Sequence, residues 1–468
     1  MVRANIKRLF VFFGAVAAAA LAWPGVLAAG GLDRRVVSER RVTDAEAKVP
    51  FGMIAVSQDG RRFAYVHKTK GGWAVEVDGQ VEAIHKAVGP LYPPVFKSAV
   101  GAIVGIKPMT FSADSRHLAY TVREGDGWAV VHDGRPGASY EAVGGPVLSP
   151  DGQHLAYAAQ APKKMFHGRR WLVVADGVEG PKWEMVSPPV YSPDGKHLAY
   201  AAHEDGKDRM VVDGVVGKAY DSLNSVSGFF GEVSVSVIYP QTLLAFPVFS
   251  REGRIAYRAK QAGRWYIVVD GQESEPFDSV LDPGFSPDGK RLAFQARKDR
   301  DGTWSWVVDG QPHGSFQKES GVGLAFSPDS RRLVYAGKAG DTWAIYLDDR
   351  CIGTHDDVGQ ARFSPDGGRL AYPALSGKRW AMSVDGVLQK GYKSVWPAAF
   401  SPDGSHLAYV AARDDDVVVV VDGVEGKPLR TVMLLVFDDN THFHYIGAKG
   451  HDIVIIDEEL ASVTAPHP

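Results

Sequence analysis

Between residues 191 and 223 the chain reads Tyr191-Ser192-Pro193-Asp194-Gly195-Lys196-His197-Leu198-Ala199-Tyr200, then Met210-Val211-Val212-Asp213-Gly214, then Lys218-Ala219-Tyr220-Asp221-Ser222-Leu223. Proline presets φ for the first turn, and Asp and Gly suit its later positions. His197 to Tyr200 alternates polar and apolar with the period of a strand. The β-branched run ending in Asp-Gly is a third strand running into a two-residue hairpin turn. A short fourth strand follows, as in Lys218 to Leu223. The unit therefore predicts four antiparallel strands in about 40 residues.

The unit recurs. Ser-Pro-Asp-Gly starts at Ser149, Ser192, Ser286, Ser364 and Ser401, with close variants at Ser57, Ser112, Ser250 and Ser327 and a decayed copy at Phe437 to Asn440. Each start leads to an aromatic (Tyr65, Tyr120, Tyr157, Tyr200, Tyr257, Phe294, Tyr335, Tyr372, Tyr409, Tyr445) and then to a turn aspartate (Asp78, Asp133, Asp176, Asp213, Asp270, Asp309, Asp348, Asp385, Asp422, Asp457). Ten four-stranded units predict an all-β chain, a β-propeller of about ten blades. One closed ring is expected, because the fifth and sixth units start only 36 residues apart and leave no linker; two five-bladed rings are the alternative. The tenth unit runs out where its fourth strand should be, and Arg35 to Val42 is placed to supply it. Tryptophan precedes the turn aspartate by five residues at Trp73, Trp128, Trp171, Trp265, Trp304, Trp343 and Trp380, which predicts one packing site repeated between blades.

Repeats of the form Phe-Ser-Pro-Asp-Gly-x-x-Leu-Ala-Tyr resemble the WD-repeat-like blades of the TolB-type propeller family, from about Val36 to Glu459. The resemblance implies a propeller that docks partners or accompanies a peptidase. Ten units stand where that family has six, and its separate N-terminal α/β domain is missing. The role of TolB in the cell envelope is therefore not carried over.

Composition narrows the function. The 468 residues are 45% hydrophobic and 23% charged, with a net charge of −3, which argues against disorder and against a wholesale nucleic-acid binder. The 52 glycines fit a chain rich in tight turns, and the single Cys351 excludes a disulfide framework. One cysteine suits an oxidising compartment provided that it is buried. Arg3, Lys7 and Arg8, an apolar run from Leu9 to Ala22 and the small residues around Ala28 read as a secretory signal over residues 1–28. The propeller then spans 29–468, periplasmic or secreted, with no membrane span in the mature chain.

No Gly-x-Ser-x-Gly elbow, His-Glu-x-x-His or phosphate loop occurs, so no catalytic residue and no cofactor is assigned. His117, His154, His197, His406 and His442 share a slot with Arg62, Arg291, Arg332 and Arg369. Arginine cannot replace a zinc ligand, so the slot is read as a cation beside the turn carboxylate and no metal is assigned. Asp414 to Asp416 is read as a solvated loop. Both turn types fall at one end of the ring, leaving the variable, basic loops at the other. Lys163, Lys164, Arg169, Arg170, Arg297, Lys298 and Arg300 are the candidate contacts there. Two apolar inserts, Val88 to Met109 and Ser225 to Pro247, open at the same end and add Tyr92, Phe96, Phe229, Phe230 and Tyr239. They either cap the channel or bind a partner. The expected function is a non-enzymatic propeller holding a protein or an anionic surface; the alternative is an enzyme acting on a saccharide or other polar substrate in the central channel.

Overall fold

The computed structural model describes residues 33–42, 54–89, 109–162, 170–223, 247–300, 302–317, 324–449 and 452–461. Residues 1–28 and most of both inserts lie outside them. The described residues form ten antiparallel sheets and no helix. In the eighth blade the inner strand comes in two pieces, Asp357–Val358 and Arg362–Phe363, both paired with the second strand Leu370–Ser376. The third strand Arg379–Val384 and the outer strand Val387–Tyr392 complete it. Five blades split their inner strand this way. Pro146, Pro188 and Pro189, Pro283, and Pro397 stand in four of the gaps, where a residue without an N–H cannot join the ladder.

The hairpin turns follow from backbone chemistry. Asp385 and Gly386 have φ of 51° and 85°, both left-handed, and the same pair of signs recurs at the hairpin turns of the first nine blades, eight of them Asp-Gly and the seventh Asp348-Asp349. Asp tolerates that region and Gly has no Cβ to oppose it, so the turn twists with its strands. The outer strand of the fourth blade starts directly after its turn, at Val215–Tyr220, three residues earlier than the sequence reading placed it.

Each blade buries both faces against its neighbours. Ten apolar clusters separate the ten blades, one per interface. Ala64, Val66 and Val75 of the first blade, for example, meet Leu118, Tyr120 and Val122 of the second. Trp128, Trp171 and Trp304 lie buried in such clusters. At the last interface Phe63 and Tyr65 of the first blade pack on Ile446 and Ile455 of the tenth, so the blades close as one ring and not as two.

The tenth blade is completed from the other end of the chain. Asp33–Arg41 pairs antiparallel with Asp452–Ala461, from Asp33 opposite Ala461 to Arg41 opposite Val454. Arg34 sits almost fully buried in this seam, 2.8 Å from Glu458, and also donates to the carbonyls of Val419 and Val424 in the ninth blade. Cys351 is exposed on the outer strand of the seventh blade, so the burial required of it above is not met. It falls on a strand whose free edge faces solvent.

Candidate functional site

The two ends of the ring differ in kind. At one end eight of the ten repeats build the same network, the fifth builds a variant of it on Glu252, and the tenth, which has no box serine, turns on Asp439 instead. The box serine hydroxyl donates to the carboxylate two residues on, as Ser149 does to Asp151 at 2.6 Å and Ser401 to Asp403 at 2.6 Å. It also accepts the amide five residues on, such as His154 at 2.9 Å. These serine bonds, then nearby amides, hold Asp151, Asp194, Asp288, Asp329 and Asp366 below the usual carboxylate range. Asp403, bonded by Ser401 and Ser405, falls to about 2.

The cation slot meets the turn aspartate of its own blade. His117, His154, His197 and His406 approach Asp133, Asp176, Asp213 and Asp422 within 2.6–2.8 Å. Arg62, Arg254, Arg291, Arg332 and Arg369 approach Asp78, Asp270, Asp309, Asp348 and Asp385 within 2.8–3.2 Å. Arg254 belongs to the set, although its box has Arg251 and Glu252 in place of Pro-Asp. The second carboxylate oxygen accepts the next backbone amide, as in Leu370 to Asp385 at 2.8 Å. The five arginines also reach across to carbonyls of the following blade and lie over its Phe111, Phe285, Phe326, Phe363 or Phe400. The slot is therefore an inter-blade clamp. His442 departs from it, pairing with Asp439 of its own turn at 2.9 Å. At the seam Arg61 bridges Asp438 and Asp457, at 2.7 and 2.5 Å.

The opposite end holds the second-to-third-strand loops and the crossings between blades. Of the candidate contacts, Lys163, Lys164, Arg169, Tyr92, Phe96, Phe229, Phe230 and Tyr239 lie outside the described residues. The other four are placed at this end. Arg170 binds Glu204 of the next blade at 2.6 Å. Arg297 binds Asp278 at 2.7 Å and lies over Trp304, while Lys298 meets Glu275 at 2.9 Å. Arg300 is exposed, and with Lys68, Lys70 and Lys378 it has no acidic partner among the described residues. Pairing within and between blades thus absorbs much of the charge that the loop sequences suggest.

Within the inner strands and the gaps that split them, among the described residues, Asp282 and Asp357 are the only acidic side chains. Asp282 is buried 2.9 Å from Arg258 of the preceding blade, and burial pushes its carboxyl up despite that arginine. Asp357 accepts the amide of Val358. The two belong to separate blades and form no acid–base pair.

A ten-bladed β-propeller is thus defined by its sheets. No family model matches the chain, nor does any curated protein. Among solved structures it is similar to the propeller of Dos1, with a TM-score of 0.35 and 12% identity over 66% of this chain and 91% of that one. It is also similar to a eukaryotic initiation factor structure, at 0.43 and 12% over 85% and 98%. A third likeness is to the β-propeller domain of the Trilobed protease from Pyrococcus furiosus, at 0.28 and 13% over 68% and 94%.

Proposed function

We propose that this chain is an exported, non-catalytic propeller of the TolB-like kind, which holds a protein partner or an anionic surface at its loop end. The supporting observation is where three segments that depart from the repeat join the ring. Residues 90–108 lie between Gly89 and Met109, 163–169 between Pro162 and Arg170, and 224–246 between Leu223 and Pro247. All three junctions fall at the loop end and within the first five blades, whereas the box end repeats one network in eight of the ten blades. Variable loops on a rigid scaffold are where recognition concentrates. These three carry the aromatic set Tyr92, Phe96, Phe229, Phe230 and Tyr239 together with Lys163, Lys164 and Arg169.

Charge reversal tests it. Lys163→Glu, Lys164→Glu and Arg169→Glu together are expected to abolish salt-sensitive partner capture from extracts of the source compartment, with the thermal midpoint unchanged. Capture equal to that of the parent chain overturns the reading. Arg170 is left intact because its pairing with Glu204 joins two blades.

A further inference from the structure

One blade breaks the rule that its siblings keep. The residue before the turn aspartate is apolar in nine blades, namely Val77, Ala175, Val212, Val269, Val308, Leu347, Val384, Val421 and Ile456. In the second blade it is His132. Four blades place histidine in the cation slot, and in three of them the position before the turn aspartate stays apolar. Clamping blades together therefore does not call for a second imidazole. His132 is half-buried, its Nε2 is shielded from solvent, and it has no hydrogen-bond partner among the described residues. An unpaired polar atom held there costs stability unless something binds it.

We infer that His117, His132 and Asp133 form a binding site for a borderline divalent transition ion of the Zn²⁺ type. The donor atoms of the three residues lie within 4.8 Å of one another. His117 Nδ1 is 2.6 Å from Asp133 Oδ2, and His132 Nε2 is 3.7 Å from the same oxygen. Zinc at about 2.0–2.1 Å from each ligand sets neighbouring donors about 3.3 Å apart, between those two spacings. Small rotations of the two rings, whose centroids are 6.0 Å apart, suffice.

The surroundings orient the ligands. Asp133 Oδ1 accepts the Leu118 amide at 2.9 Å, which leaves Oδ2 to coordinate. The Gln153 amide nitrogen stands 3.1 Å from His117 Nε2, and turning that amide over brings its oxygen there to accept the Nε2 N–H and leave Nδ1 for the metal. The one ring proton of neutral His117 then sits on Nε2, and Nδ1 gives its lone pair to the metal with no net loss of a proton. His117, His132 and Asp133 are 24%, 25% and 44% exposed, so a fourth position remains open to water or to a ligand. Two other groupings of possible ligands already hold a protein cation: Arg61 between Asp438 and Asp457, and Arg170 on Glu204.

The repeats supply their own controls. Titrating ZnCl₂ calorimetrically into the untagged chain is expected to show a saturable equivalent. His132→Val and His117→Arg, each installing the residue found in sibling blades, are both expected to lose that equivalent. His406→Arg in the ninth blade is expected to keep it. Failure of the parent chain to bind zinc, or zinc uptake by either second-blade variant equal to the parent, overturns the inference. Two variants at different positions guard against the misfolding of one.

Discussion

Six box aspartates, Asp151, Asp194, Asp288, Asp329, Asp366 and Asp403, share one environment, and it carries a sign. Serine hydroxyls and backbone amides favour the ionised carboxylate, so the folded pKa lies below the ordinary 3.8. A group shifted this way contributes stability above its unfolded pKa and loses it as pH falls through the folded value. Stability is therefore expected to hold between pH 7 and 5, then to fall from about pH 4 towards the value near 2 reached by Asp403. Thermal midpoints by circular dichroism across that range check it, and a flat profile down to pH 2.5 contradicts it. The serine, proline and aspartate were legible in the sequence because each acts within its own turn. The carboxylate that meets the cation was only partly legible, since it lies 16 to 22 residues downstream.

Between elements, the pair of Arg258 and Asp282 joins the second strand of the fifth blade to the gap that splits the inner strand of the sixth. Arg258 also donates to the Val280 carbonyl and lies over Trp265, so it serves three contacts. Removing one partner strands the other charge at a cost of about 3–5 kcal/mol, whereas removing both takes away the desolvation penalty as well. Arg258→Met and Asp282→Ala are each expected to destabilise strongly, and the double variant to cost less than either alone. Urea unfolding of the four proteins measures the coupling, and additive costs contradict it. No pattern in the sequence announced this pair. Strands and turns were readable because their chemistry is local, but Arg258 finds its partner only when two blades are laid face to face. The loop-end cations show the same limit: Arg170 and Arg297 look free along the chain and are paired in the ring.

The whole ring depends on one seam. Ten units, one closed ring and an N-terminal strand available to the last blade were visible in the sequence; which side chains meet at each of the ten interfaces was not, because periodicity counts blades without laying their faces together. At the seam Glu458 neutralises buried Arg34 and accepts the Tyr445 hydroxyl. Glu458→Ala is expected to cost about 3–5 kcal/mol by leaving Arg34 unpaired. Arg35→Ala, whose exposed partner is Glu459, is expected to change stability by less than about 0.5 kcal/mol. Equal effects of the two in urea unfolding contradict this account of the seam.

That seam also sets an order in time. Asp33–Arg41 is synthesised before every other described strand, and its partner Asp452–Ala461 after every other. Arg34 and Glu458 are 424 residues apart. Entropy alone penalises so long a loop modestly, since each doubling of length costs only about 0.6 kcal/mol. The delay is the heavier burden, because contacts of wide sequence separation form late. Until the last strand appears, the earliest one has no edge to join and the growing blades form an open arc. Completion of the circle is thus reserved for the end of synthesis, and a chain that stops early stays uncircled however well its blades have folded.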